Sequence, residues 1–226
     1  MVGEKNIKAI LFDLDGTLLN TKADITYAIN SAVIKANFEE ISEELCISYV
    51  GRGLYKALLD ILTDKGYRGS EEDIKELYEG LLYTYRTNPY QRSTVYEGIS
   101  ELLEKLVVRN VGLGILSNKE DVITQVIVEH VFKDFPFSFI RGSDTSYPPK
   151  PNPYSALEFA SLCGCKAENV LVVGDTLVDY KTAVAANMQR AIVTWGFRTK
   201  EELIEAGCSP LYDTVEQLEQ EVLRWV

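Results

Sequence analysis

Asp13-Leu14-Asp15-Gly16-Thr17 sets two carboxylates two residues apart where the apolar run Lys8–Phe12 becomes a loop, and Gly16 lets the backbone approach a ligand closely. Val170–Val173 runs into Gly174-Asp175-Thr176-Leu177-Val178-Asp179, a second pair of carboxylates after a second apolar run. A third run, ending at Leu116, leads into Ser117-Asn118-Lys119, a hydroxyl and an amide at the mouth of a predicted helix whose N-terminus favours anions. Lys150 stands among the prolines of Tyr147–Pro153, which restrict the backbone around one cation. Such a set suits Mg²⁺-assisted phosphoryl transfer, because oxygen-rich carboxylates match a hard cation better than any softer ligand in the chain. In that chemistry Asp13 attacks phosphorus and forms an aspartyl-phosphate, which water then hydrolyses. Asp15 gives a proton to the leaving alcohol and takes one from the water, while Lys150, Ser117 and backbone amides hold the phosphoryl oxygens.

The composition closes several other routes. His130 is the only histidine, so a site built on several histidines is excluded, and its spacing after Ile123, Val126 and Ile127 predicts the edge of a helix core. The four cysteines, Cys46, Cys163, Cys165 and Cys208, form no C-x-x-C pair and read as reduced thiols. An EF-hand wants glycine at its sixth position, where Leu18 stands here, and it follows a helix rather than a strand. The 23 basic and 34 acidic residues leave a net charge of −11, so nucleic acid is not expected as a partner. No apolar run approaches the roughly 18 residues of a membrane span, so a cytoplasmic protein with no membrane partner is expected.

The elements that must position these residues follow from hydrophobic spacing. Short apolar runs at Lys8–Phe12, Val111–Leu116, Phe137–Ile140, Val170–Val173 and Ala191–Thr194 predict strands buried on both faces. Between the later ones lie segments of period near 3.6, such as Ile99, Leu102, Leu103 and Leu106. The alternation predicts an α/β fold with a doubly wound parallel sheet, whose ligands bind outside the carboxyl ends of the strands. Residues 20–91 break the rhythm with helical patterns around Ile25–Val33, Leu54–Leu62 and Ile74–Tyr85, the last opened by the capping pair Ser70 and Asp73. The expected organisation is a catalytic core of residues 1–19 and 92–226, with a small all-helical cap of residues 20–91 inserted after the first strand.

The four segments, Asp13–Thr17, Ser117-Asn118, Lys150-Pro151 and Gly174-Asp175 through Asp179, resemble in order the four motifs of the haloacid dehalogenase superfamily. The resemblance implies a Rossmann-like core, Asp13 as nucleophile and Asp15 as acid/base. It also implies Mg²⁺ held by Asp13, Asp175 and the Asp15 carbonyl, with Asp179 close to the metal, and a phosphoryl group bound by Thr17, Ser117, Asn118 and Lys150. The helical insertion is similar to that superfamily's first type of cap. Tyr49-Val-Gly-Arg-Gly53 resembles the cap segment that faces the substrate in the phosphoglycolate-phosphatase-like group, which makes Arg52, with Gly51 and Gly53, the expected specificity residues. Asn20-Thr21 departs from the Asp-Ser common in relatives. Asp15 argues against carbon–halogen and phosphonate chemistry, which lack it, and Thr17 favours a hydrolase over a sugar phosphomutase, the alternative within the superfamily. A non-catalytic phosphate-responsive module is the alternative outside it, although such a module carries its phosphoacceptor aspartate on a middle strand, where Ser117 stands here. The expectation is a phosphatase of a small phosphorylated metabolite, acting as monomer or homodimer.

Overall fold

The computed structural model describes residues 6–51, 53–144 and 146–226, so Arg52 lies outside the described residues. The chain divides into two compact units, one made of the chain up to Asn20 together with Val95–Val226, the other of Thr21–Thr94. In chain order, β1 (Ala9–Phe12) and β2 (Leu19–Asn20) precede four helices, α1 (Lys22–Lys35), α2 (Glu43–Tyr49), α3 (Leu54–Asp64) and α4 (Glu71–Thr87). Next come β3 (Thr94–Val95), α5 (Ile99–Val108), β4 (Gly112–Glu120), α6 (Asp121–Val131), β5 (Phe137–Ser143) and α7 (Tyr154–Leu162). They are followed by β6 (Val170–Gly174), α8 (Leu177–Ala185), β7 (Gln189–Val193), α9 (Lys200–Glu205), β8 (Leu211–Tyr212) and α10 (Val215–Val222).

Six strands form one parallel sheet in the order β5-β4-β1-β6-β7-β8, the doubly wound α/β arrangement expected from the alternating pattern. All four residues of β1 are buried, which is why its sequence, AILF, shows no polar alternation. From β1 the chain moves outward through β4 to β5, then returns to β6 on the other side of β1. A reversal of this kind opens a crevice at the carboxyl ends of the central strands. Asp13 and Asp175 stand directly after β1 and β6, at those ends.

Two differences from the sequence reading matter for the site. β4 continues past Leu116 to Glu120, because its pairing with β5 shifts register between Leu116↔Arg141 and Glu120↔Ser143. Ser117, Asn118 and Lys119 therefore lie within an irregular stretch of strand, where a bulge re-aims side chains, and not at the mouth of α6. His130 is exposed on α6, whose buried face is Ile123, Thr124, Ile127 and Val128, so it does not edge a core. The two-residue strands β2, β3 and β8 are too short to leave a periodic signal.

In the helical unit, α1 buries Ile25, Ala28, Ile29, Ala32 and Val33, α3 buries Leu54, Ala57, Leu58, Ile61 and Leu62, and α4 buries Leu77, Leu81, Leu82 and Tyr85. The Ser70–Asp73 capping box is present at the start of α4. Asp24, buried at the start of α1, accepts from the Arg92 amide at 2.9 Å and the Ser93 hydroxyl at 2.6 Å, which joins the two ends of this unit. Gly51 and Gly53 both have positive φ, 135° and 88°, the backbone freedom expected of that segment. Among the described residues, no helix is long and apolar enough to cross a membrane.

Candidate active site

β1 and β6 pair in parallel with Phe12 opposite Val173, so the residues that follow them leave the sheet side by side. Asp13 is held there by its own amide, which donates to the Val173 carbonyl at 2.8 Å. Two residues beyond β6, Thr176 caps α8, and the third residue of that helix, Asp179, accepts from the Thr176 hydroxyl at 2.7 Å and amide at 3.2 Å. The chain geometry thus brings three buried carboxylates together, with one oxygen each from Asp13, Asp175 and Asp179 within 4.8 Å of one another. Lys150 joins two of them, its Nζ lying 2.9 Å from Asp13 Oδ1 and 2.6 Å from Asp179 Oδ1.

Asp175 is fixed by the Phe197 amide, 2.6 Å from Oδ2, and by the Thr17 hydroxyl, 3.4 Å from Oδ1. Gly16, read from the sequence as letting the backbone approach a ligand, lies instead against this carboxylate: with φ at +82°, a Cβ at position 16 would lie 2.3 Å from Asp175 Oδ2. No other residue type fits that corner without displacing Asp175.

Crowding of like charge in a buried place disfavours ionisation. Burial, opposed by Lys150 and reinforced by Asp179 and Asp15, pushes the Asp13 carboxyl up from 3.8 to about 7. Asp175 is raised well above the ordinary carboxylate value by burial first, then by Asp13 and Asp179. For Lys150 burial acts to lower the value, but Asp13 and Asp179 outweigh it and hold the ammonium above its ordinary range. Three oxygen donors that repel one another at neutral pH are a fitting donor set for a hard divalent cation.

The remaining expected residues have distinct placements. Thr17 is buried, with its hydroxyl on Asp175 and its carbonyl accepting from Trp195 Nε1 at 3.2 Å. Ser117 is buried, and its Oγ accepts from the Lys119 amide at 3.2 Å. Asn118 meets the backbone of Lys150, donating through Nδ2 to its carbonyl at 3.0 Å and accepting at Oδ1 from its amide at 2.8 Å. A side chain thus aims the lysine, alongside the neighbouring prolines. Asp15 pairs with Lys119, Nζ to Oδ1, at 2.9 Å. The sequence reading gave Lys119 no role, because its burial beside Asp15 is a tertiary feature without a mark in the sequence. The Trp195–Phe197 segment was also missed. It follows the apolar strand β7, a position as favourable as the ends of β1 and β6.

A sequence profile described as haloacid dehalogenase-like hydrolase matches residues 10–193, which include all of these acids and both lysines. The chain belongs to this family. Among haloacid dehalogenase-like proteins, it is similar to the phosphoglycolate phosphatase of Aquifex aeolicus, 30% identical over 84% of this chain and 86% of that one. The phosphoglycolate phosphatase of Haemophilus influenzae strain 86-028NP is 28% identical over 93% and 96% of the two chains. A solved structure from Lactobacillus delbrueckii subsp. bulgaricus, provisionally named a phosphoglycolate phosphatase, superposes with a TM-score of 0.90 at 26% identity. It covers 96% of this chain and 98% of its own. The haloacid dehalogenase-like fold therefore extends over nearly the whole length.

Proposed function

We propose that this chain hydrolyses a small phosphorylated metabolite, phosphoglycolate-like or another phosphomonoester, through an aspartyl-phosphate on Asp13 with Mg²⁺ as cofactor. It is a hydrolase acting on phosphoric monoesters, as its family and the phosphatases it resembles indicate. The observation that carries the finer reading is Lys150 bridging Asp13 and Asp179 inside a buried carboxylate cluster at the sheet's switch point. Asp13, Asp175 and the Asp15 carbonyl would hold Mg²⁺, with Asp179 beside them. The ion, when bound, offsets the repulsion between these carboxylates and an anionic phosphoryl group.

In this reading Asp13, ionised, supplies the attacking oxygen. Lys150, aimed by Asn118, and the Ser117 hydroxyl meet the phosphoryl oxygens as charge develops on them. Asp15 protonates the leaving alcohol and then takes a proton from the water that breaks the acyl phosphate. Thr17 keeps Asp175 in place through its hydroxyl.

Three results are expected. The purified protein with Mg²⁺ hydrolyses p-nitrophenyl phosphate and at least one member of a panel of phosphoglycolate, sugar phosphates and nucleotides, and chelation stops it. Absence of turnover on every ester with Mg²⁺ present sinks the reading. Burial and like charge raise Asp13 to about 7 without the ion, so below that pH Mg²⁺ binding has to displace its proton. Affinity measured calorimetrically should therefore be roughly tenfold tighter at pH 8 than at pH 6. A flat profile over that range contradicts the proposed ligand set. Arg52, set between glycines, is assigned to the non-phosphate end of the substrate, where a guanidinium suits a carboxylate. Arg52→Ala should raise KM for an anionic substrate about tenfold and barely change hydrolysis of p-nitrophenyl phosphate. Equal losses on both would remove Arg52 from recognition.

A further inference from the structure

We infer that Lys119 is a positioning residue that holds Asp15 in the orientation from which it exchanges protons with the leaving alcohol and the attacking water. The inference rests on the phosphatase reading above. Its observation is the 2.9 Å pair between Lys119 Nζ and Asp15 Oδ1, in which the lysine side chain is 2% exposed and the aspartate 14%. Lysine is a long, flexible residue that seldom leaves water, so a specific enclosure is needed to keep it there.

The backbone beneath Lys119 is fixed from three sides. Its amide donates to Ser117 Oγ at 3.2 Å, and its carbonyl accepts from Thr124 Oγ1 at 3.4 Å. On β5, Gly142 lies so near that a Cβ there would fall 2.6 Å from the Lys119 carbonyl oxygen and 2.5 Å from Asp121 Cα. The Gly142 amide also donates to Asp121 Oδ1 at 2.7 Å, which locks β5 against the residue that starts α6. This is the stretch where β4 leaves its regular ladder, so the irregularity turns Lys119 toward Asp15 and the surrounding bonds keep it turned.

At the other end, Asp15 stands on a tight loop in which the Gly16 amide donates to the Leu19 carbonyl at 2.9 Å. The loop fixes the Asp15 backbone, but its carboxylate still has staggered alternatives about χ1. A charge-assisted bond from an immobile ammonium selects one of them. The two buried lysines thus divide the acids of Asp13–Thr17 between them: Lys150 serves Asp13, and Lys119 serves Asp15.

The test compares an alkyl phosphate with p-nitrophenyl phosphate on the full chain supplied with Mg²⁺. Proton donation matters for the alkoxide and little for p-nitrophenolate. Lys119→Met should therefore lower kcat/KM at least about tenfold on the alkyl ester and no more than about threefold on the aryl ester. Lys119→Arg should recover most of the loss. In an Asp15→Asn background, Lys119→Met should cost nothing further on the alkyl ester, since the residue it positions is already disabled. Inorganic phosphate should bind both forms with the same Kd. Equal losses on the two esters, a loss that persists beside Asp15→Asn, or a phosphate Kd that weakens in step with activity each overturns the inference. If Lys119→Met does not fold, Lys119→Gln enters the same cycle, and failure of both to fold while Lys119→Arg does so overturns it in favour of a structural role. A wild-type protein inactive on both esters overturns the phosphatase reading and this inference together. An active wild type with uniform losses overturns the inference alone.

Discussion

Asp13→Asn should reduce phosphatase turnover by at least about a thousandfold, some 4 kcal/mol of barrier, while the protein stays folded. An amide matches a carboxylate in size but does not form the acyl phosphate. The fold should tolerate the change because the Asp13 carboxyl is raised to about 7 in the folded protein against 3.8 as its ordinary value. A folded-state pKa above the unfolded one means that, without the ion, the folded form holds its proton better. The stability Asp13 contributes is therefore present at low pH and lost as pH rises from about 4 through about 7. In chelator at pH 8, removing that charge should leave the thermal midpoint equal to wild type or higher. A variant that keeps more than a few per cent of activity would favour direct attack of water on phosphorus.

Lys150→Met should be the most destabilising single change at the site. Lys150 is buried and touches Asp13 and Asp179 at 2.9 and 2.6 Å, so its loss leaves the carboxylate cluster without that counter-charge. Removing one partner of a buried ion pair costs about 3–5 kcal/mol, which for a chain of this size lowers the midpoint by roughly 6 °C or more. The sign of the pH effect follows from the same groups. At pH 5–6 Asp13, raised to about 7, is protonated and its repulsion with the neighbouring carboxylates is relieved, so the deficit should shrink there and grow toward pH 8. Mg²⁺ should recover part of it at pH 8. Activity should fall by two to three orders of magnitude, about what the loss of one preorganised donor to a developing oxyanion costs. A midpoint unchanged in chelator at pH 8 would show that Lys150 is not the cluster's counter-charge.

The acids were legible in the sequence because strand burial and strand ends both leave local marks. Ala9–Phe12 and Val170–Gly174 are unbroken apolar runs, and Asp13 and Asp175 stand directly after them. Their neighbourhood follows from parallel pairing, which the alternation of strands and helices implies. Lys119 was not legible in the same way. Its burial depends on a register shift between β4 and β5, which pairs distant segments and leaves no periodic trace. Asn118 offered a polar side chain at a strand end, but its engagement with the Lys150 backbone, 32 residues away, is a tertiary fact. The Ile123-Val126-Ile127 spacing was misread for a related reason. It placed His130 at a core edge, whereas the covered stripe of α6 runs through Ile123, Ile127 and Val128 and leaves Val126 and His130 outward.

The central claim is covalent transfer of the phosphoryl group to Asp13, and the direct measurement is chemical trapping of that bond. Enzyme with Mg²⁺ and saturating substrate is quenched during turnover and reduced with borohydride, which converts an aspartyl-phosphate to homoserine, and the peptide carrying position 13 is read by mass spectrometry. Homoserine is expected at position 13 in samples with substrate, and none without substrate or in Asp13→Asn. Turnover with position 13 remaining aspartate in every quenched sample would contradict it.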